Sequence, residues 1–313
     1  MEKLSFVIPC YCSQSTIGNI VSRIIKTVEE DGRYDYEIIC VNDCSKDNTW
    51  ASLRNIASES KKIKAVNLST NYGQHAALMA GFHYVEGDII VCLDDDGENP
   101  PEQMFKLINK LEEGYDLVSV KYVSDNRGFI RSIGTKISLF MAQHLIGKPK
   151  NIDINSYSVF RKFIIQYLLR YENPYPFVFG QVLQVTKNVA NVEIERGKRE
   201  SGVSGYNISK LLSLWMNGFT AFSEKPLVIA GYFGMASAFI GFIVAIITII
   251  RRILNPGMSA GYASLMACVL FMGGVILVFC GLLGEYIGRI YISINKVPQY
   301  AVKEVINCDK REE

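Results

Sequence analysis

The segment Leu93-Asp94-Asp95-Asp96-Gly97-Glu98 closes the apolar run DIIVCLD (88–94) with carboxylates and is followed by Pro100 and Pro101. A short apolar run of this kind reads as a buried strand, and open α/β sheets take their ligands at the C-terminal edge of such strands. There Asp94 and Asp96 can both approach one hard cation, Mg2+ or Mn2+, which binds through one or two carboxylates and fills its octahedron with phosphate oxygens. An ion so held acts as a Lewis acid on a diphosphate leaving group. The bland alternative, three aspartates in a solvated turn, loses ground once the other motifs are counted.

A second constellation, Val41-Asn42-Asp43-Cys44-Ser45-Lys46-Asp47, ends the run YEIICVN (36–42). Asp43 can accept from a base N–H or a ribose hydroxyl, and the turn Pro9-Cys10-Tyr11 offers an aromatic face for the base. Taken singly, Asp43 could equally begin a turn. The chain has neither G-x-G-x-x-G nor G-x-x-x-x-G-K-[ST], so the dinucleotide and P-loop readings lose their main support.

Five apolar runs, at 4–10, 36–42, 63–68, 88–94 and 115–122, must position these residues. They alternate with amphipathic stretches such as 16–30 and 48–58, the second with Ser45 or Asp47 as a candidate N-cap. This is the pattern of βα units on a mostly parallel, Rossmann-like sheet.

Residues 127–147 carry Arg127, Arg131 and Lys136 among apolar side chains. They read either as an ordinary surface helix or as a helix lying among lipid headgroups, and the apolar stretches downstream favour the second. A further amphipathic stretch at 205–222 leads to two uncharged runs, 227–250 and 260–284, each long enough to cross a hydrocarbon core. Two spans joined by the loop RRILNPGMSA form a hairpin whose ends emerge on one side. Arg251 and Arg252 lie in that loop, against Lys225, Arg289, Lys296 and Lys303 at the other ends. The larger count and the absence of an N-terminal signal pattern favour a cytoplasmic first domain and tail. The expected organisation is a catalytic domain over 1–204, a juxtamembrane helix over 205–226, spans at 227–250 and 260–284, and a tail over 285–313.

Bulk composition agrees. The 313 residues are 49% hydrophobic and 20% charged, with the apolar excess concentrated after residue 226. A net charge of +2 and the lack of basic tracts with interleaved aromatics argue against nucleic-acid binding. Of eight cysteines, Cys10, Cys40 and Cys92 fall in or at the end of strand-like runs, and no zinc spacing occurs, so reduced structural thiols in a cytoplasmic domain are expected.

Taken together, IPCYCSQSTI, VNDCSKDNT, NYGQHAALMAG, GDIIVCLDDDGENPPE, RESGVSGY and GEYIGRIYISINKVPQY resemble family 2 glycosyltransferases of the GT-A fold. Within that family the chain is similar to the polyprenyl-phosphate sugar transferases of bacterial inner membranes. The resemblance implies that a sugar passes from a UDP- or GDP-linked donor to a polyprenyl phosphate, with inversion. It implies that Pro9, Tyr11, Asp43 and Asp95 hold the nucleotide sugar and that Asp94 and Asp96 form the metal site. Glu98, where the family often has Gln, stands near the diphosphate as a third candidate metal ligand. Arg199, Gly202 and Ser204 match an R-x-x-G-x-S signature whose arginine reaches phosphate, and a guanidinium fork suits that contact. Arg127, Arg131, Lys136 and Ser204 are candidates for the acceptor phosphate; a homo-oligomer is compatible with all of this.

Several positions depart from the family pattern. Cys12-Ser13 replaces Asn-Glu, Asn42 replaces an aspartate, Thr70 a basic residue and Gly205 a lysine, so base and sugar identity do not transfer. In place of D-x-x-D-F the chain has Asp153-Ile154-Asn155-Ser156-Tyr157, which leaves Ser156 at the second acidic position. A phosphate monoester with a second pKa near 6 is already nucleophilic at neutral pH and needs no base there. Two other readings are weaker. A processive polysaccharide synthase would carry Q-x-x-R-W, and neither Trp50 nor Trp215 follows an arginine. A non-catalytic membrane module of the same fold would have no reason to keep Asp94 and Asp96.

Overall fold

The computed structural model describes residues 2–122, 152–174, 176–197, 225–254, 261–295 and 297–308. The chain forms two compact units, Met1–Asn207 with Lys296–Glu313, and Ile208–Asn295.

The first unit is built on one sheet of eight strands: β1 (Lys3–Cys10), β2 (Asp35–Asn42), β3 (Ile63–Leu68), β4 (Ile89–Cys92), β5 (Leu117–Tyr122), β6 (Ser158–Arg161), β7 (Val189–Ile194) and β8 (Val302–Ile306). Their order across the sheet is β7-β5-β6-β4-β1-β2-β3-β8. The β1–β2, β1–β4, β2–β3 and β5–β7 pairs are parallel, while β6 runs antiparallel to β4 and β5, and β8 antiparallel to β3. All five expected strands are present.

Strands in the middle of this sheet are buried on both faces, which is why they read as continuous apolar runs. Side-chain alternation divides β1 between two cores. Leu4, Phe6 and Ile8 pack with Ile17, Ile20 and Ile24 of α1 (Ile17–Asp31) and Leu107 and Leu111 of α4 (Met104–Glu112). Val7 joins Ile39 and Val41 against Ala77 and Leu78 of α3 (Gln74–Phe82). Cys10, Cys40 and Cys92 are buried free thiols, as expected. The N-cap of α2 (Thr49–Glu59) is Asn48, not the expected Ser45 or Asp47; Asp47, one residue earlier, accepts the Thr49 N–H through Oδ1 at 3.1 Å. Ser45 instead donates to Asn42 Oδ1 at 2.6 Å. Two short helices, α5 (Lys162–Leu168) and α6 (Val178–Val185), complete the layers.

The expected tail contains the edge strand β8. Arg54 pairs with Glu304 at 2.8 Å, and Gln299 Nε2 donates to the Asn173 carbonyl at 2.9 Å, tying the returning chain to the first unit. The run VKEVI is short and mixed in polarity because it covers an edge.

The second unit holds two long helices, α7 (Lys225–Leu254) and α8 (Tyr262–Ile294). Within α8, the 24 residues Phe271–Ile294 are long and apolar enough to cross a membrane, and none of that stretch is buried. The shorter apolar stretch of α7 is Ala230–Val244. Both helices outrun the expected boundaries. Arg251 and Arg252 belong to α7 rather than to a loop, and α8 continues past 284 through Glu285 and Arg289, since side-chain charge does not interrupt a helical backbone. Of the expected juxtamembrane helix, Lys225 and Pro226 open α7. Residues 205–224, the basic segment 127–147, and Arg127, Arg131, Lys136, Arg199, Gly202 and Ser204 lie outside the described residues.

Candidate functional site

Register brings the two acidic motifs together. β1 lies between β2 and β4, with Pro9 opposite Val41 and Val7 opposite Cys92. The loops after all three strands therefore open at one edge. Pro9 is buried in β1, and the Tyr11 ring beyond it is 47% exposed, free to lie against a planar ligand. The Tyr11 N–H donates to Asp95 Oδ2 at 2.9 Å, and Thr16 Oγ1 donates to the Asp95 carbonyl at 2.7 Å. Desolvation pushes the Asp95 carboxyl above its usual range.

Asp43 is buried, and its two carboxylate oxygens accept the backbone N–H groups of Tyr72 at 2.7 Å and Gly73 at 2.8 Å. It thereby holds the loop leading into α3. Burial raises its pKa, and the two amide hydrogen bonds oppose that rise. Asn42 bridges to β3 through Asn67 Oδ1 at 2.8 Å, and Ser45 Oγ accepts the Cys12 N–H at 3.0 Å. Cys12 and Cys44 adopt left-handed backbone, with φ of 57° and 51°, in the two loops flanking this edge.

Asp94 is enclosed by donors from three separate elements. Its Oδ1 accepts Gln74 Nε2 from the start of α3 at 2.7 Å, and its Oδ2 accepts Asn99 Nδ2 at 3.1 Å and the Ser156 hydroxyl. Desolvation lifts its pKa to about 6; the Ser156 hydrogen bond opposes the rise, and the neighbouring charges of Asp96 and Asp95 add to it. Asp96 Oδ1 accepts the Glu98 N–H at 3.0 Å across Gly97, whose φ is 81°. Glu98 faces Arg196, with Oε2 and Nε 3.5 Å apart.

The expected residues Pro9, Tyr11, Asp43, Asp94, Asp95, Asp96 and Glu98 thus share one edge. Among the described residues, no three His, Cys, Asp or Glu side chains are gathered into a metal cage. Sequence reasoning missed Gln74, Asn99, Tyr122 and Arg196. Gln74 and Asn99 sit inside the quoted motifs NYGQHAALMAG and GENPPE; Tyr122 and Arg196 carry no local signal.

A mostly parallel sheet with acidic loops converging at the ends of adjacent strands, the loop after β4 held to the turn after β1, is the architecture of a GT-A-type fold. Residues 5–169 match the profile of Glycosyl transferase family 2, and the chain belongs to that family of glycosyltransferases. Residues 225–290 match the GtrB C-terminal hairpin. The undecaprenyl-phosphate 4-deoxy-4-formamido-L-arabinose transferase of Proteus mirabilis (strain HI4320) is 31% identical over 317 residues, spanning 99% of this chain and 96% of that protein. The enzyme of the same name from Enterobacter sp. (strain 638) is 33% identical over 310 residues, covering 98% and 94%. Among solved structures, glucosyl-3-phosphoglycerate synthase from Mycobacterium tuberculosis, in complex with Mn2+, uridine-diphosphate and phosphoglyceric acid, superposes with a TM-score of 0.51. It is 19% identical, covering 70% of this chain and 76% of that one, a likeness of fold.

Proposed function

We propose that this enzyme transfers a sugar from a UDP- or GDP-linked donor to a polyprenyl phosphate, undecaprenyl phosphate in bacteria, with inversion at the anomeric carbon. The observation that carries the reading is the hydrogen bond between Asp95 and the Tyr11 backbone. It fastens the carboxylate loop to the turn offering a base its aromatic face, so one ligand with a base at one end and a diphosphate at the other spans both. The names of the relatives support the acceptor, and the ligands of the mycobacterial synthase support a diphosphate donor with a divalent metal.

Asp94 and Asp96 fit a divalent cation. Burial raises the pKa of Asp94 and the adjacent charges of Asp96 and Asp95 add to the rise, a cost that a cation would relieve, and Mg2+ or Mn2+ needs only one or two protein carboxylates when phosphate oxygens are present. Bound there, the ion would draw charge from the diphosphate leaving group. Glu98 would sit beside it with its charge offset by Arg196. Asp43 orders the Tyr72-Gly73 loop on the nucleotide side of the site, Tyr11 stacks on the base, and Gln74, Asn99 and Ser156 hold Asp94 in place. Arg199 would grip the diphosphate through a two-pronged contact, while Arg127, Arg131, Lys136 and Ser204 receive the acceptor phosphate. The acceptor phosphate is largely dianionic at neutral pH, so a single in-line displacement proceeds by positioning and charge stabilisation without proton abstraction.

The acceptor is a lipid, and α7 and α8 are read here as two spans of the bacterial inner membrane. Chain connectivity supports an even number of crossings: β8, after the hairpin, belongs to the same sheet as β1–β7, before it. The basic residues Lys225, Arg289, Lys296 and Lys303 at the outer ends of the hairpin favour the cytoplasmic side for that sheet. The test is to incubate membranes containing the protein with a panel of nucleotide sugars and undecaprenyl phosphate, and to identify the lipid product by mass. A lipid-linked monosaccharide is expected; a soluble polymer or no product would overturn the reading.

A further inference from the structure

The exit of β7 is fastened to the carboxylate loop at several points. The Gly197 N–H donates to the Glu98 carbonyl at 2.9 Å. A Cβ on Gly197 would stand 2.4 Å from the Gly97 carbonyl oxygen, so the two backbones meet there only because residue 197 has no side chain. One residue earlier, the Arg196 guanidinium lies 4.5 Å from the centre of the Tyr122 ring while its Nε faces Glu98 Oε2 at 3.5 Å. Tyr122, the last residue of β5, donates its hydroxyl to Asn99 Oδ1, and Asn99, 2% exposed, donates Nδ2 to Asp94 Oδ2 at 3.1 Å.

This chain of hydrogen bonds has a direction. An ionised Asp94 can only accept, so Asn99 must turn its NH2 toward it and its carbonyl toward Tyr122, whose phenol proton fixes that orientation. Without the phenol the amide is free to turn over and present its oxygen to a carboxylate. The Arg196–Glu98 pair acts by charge: it neutralises the one carboxylate of the loop that stands where the family often has an amide.

We infer that Tyr122, Asn99, Arg196 and Gly197 are positioning residues that lock Asp94 and the Gly97-Glu98 main chain in the arrangement that receives a nucleotide diphosphate. The lock rests on the donor chemistry proposed above and adds to it four residues that touch neither base nor sugar.

The experiment uses the full-length protein in detergent, with Mn2+ plus UDP or GDP as one probe and UMP or GMP as the other. A monophosphate uses the Asp43 and Tyr11 side of the site and bypasses most of the lock. Tyr122→Phe, Arg196→Gln and Gly197→Ala are each expected to weaken Mn2+-dependent diphosphate binding by roughly tenfold, the scale of one charged hydrogen bond, while monophosphate binding stays within about twofold. Adding Glu98→Gln to Arg196→Gln restores charge balance and is expected to recover most of the loss, a coupling that a merely structural role does not produce. Diphosphate binding at the unaltered level in the three single variants overturns the lock. So does equal weakening of both probes, or a double variant no better than Arg196→Gln. An unaltered protein that binds monophosphates but neither diphosphate counts against the donor chemistry itself, and the lock falls with it.

Discussion

Ser156, on the approach to β6, donates its hydroxyl to Asp94 Oδ2 from 62 positions away in sequence. Where D-x-x-D-F would place a second acid, this chain puts a neutral donor, and the donor is spent on the carboxylate pair. Asp94 retains hydrogen bonds from Gln74 and Asn99 when the hydroxyl is removed. Ser156→Ala should therefore slow single-turnover transfer by less than about tenfold, under roughly 1.4 kcal/mol of barrier. With saturating metal, which keeps Asp94 ionised, the pH profile should follow acceptor phosphate ionisation near 6. A loss of several decades, with folding and donor binding intact, would redirect the search for a base to Asp153.

The sequence makes some of this arrangement legible and hides the rest for physical reasons. β1 to β5 announce themselves because strands buried on both faces must be apolar throughout, and the carboxylates of the β4 loop stand out because their spacing is local. β6, β7 and β8 are mixed in polarity and paired with strands distant in sequence, so local periodicity carries little of them. The same holds within the site. Asp94 is visible as a carboxylate after a strand, whereas its partners Gln74, Asn99 and Ser156 are assembled from α3, the β4 loop and the β6 approach, a grouping that only the topology creates. The helical hairpin is visible from hydropathy; its ends are not, because α7 and α8 continue as helices through charged residues.

His75 and Glu86 should each make the stability of the first unit sensitive to acid, in separate pH ranges. His75, packed against Phe177 and Phe179 at ring distances of 4.9 and 5.4 Å, is pushed by burial from 6.5 to about 4. The unfolded chain takes up this proton first, so the stability His75 contributes is complete above pH 6.5 and declines as pH falls to 4. Glu86 is held down to about 2, against an ordinary 4.5, by Lys3 and Lys64. Its contribution is complete above 4.5 and is lost as pH falls through 2. Asp94, raised to about 6, gains stability over part of the same range, so the readout is the difference between the unaltered protein and His75→Phe. As pH falls from 6.5 to 4 the unaltered protein should lose melting temperature relative to the variant by several degrees, on the order of 3 kcal/mol. An unchanged profile in His75→Phe would show that another group carries it.

Asn307 should prove a stability determinant although it lies far from the chemistry. Its backbone is left-handed, with φ of 57°, and its Nδ2 donates to the carbonyls of Ala57 at 2.6 Å, Ser60 at 3.2 Å and Ile63 at 2.9 Å, where α2 gives way to β3. Asn307→Gly keeps the backbone conformation and removes only the side-chain donor, so its cost isolates the hydrogen bonds, about 1–3 kcal/mol. Asn307→Asp should cost more, because it points a carboxylate at three carbonyl oxygens. Thermal melts of the full-length protein decide it: a glycine variant melting at the unaltered temperature would mean that water serves those carbonyls equally well.

Asp94 and Asp96 should differ under the same substitution, although both are assigned to one metal. Asp96 accepts the Glu98 N–H through Oδ1, a bond that an asparagine oxygen reproduces, so Asp96→Asn keeps that turn while removing the charge. The expected loss is two to four decades in transfer rate, the range for removing an electrostatic catalytic group, with an unchanged melting temperature and weakened Mn2+ binding. Asp94 is surrounded by donors from Gln74, Asn99 and Ser156. An asparagine there turns an NH2 group against at least one of them, so Asp94→Asn should combine a similar loss of rate with local destabilisation of about 1–3 kcal/mol. Mn2+ binding followed by electron paramagnetic resonance, alongside melting curves of both variants, separates the two effects. Near-normal transfer by a well-folded Asp96→Asn protein would overturn the metal assignment, and with it the role given to the carboxylate loop.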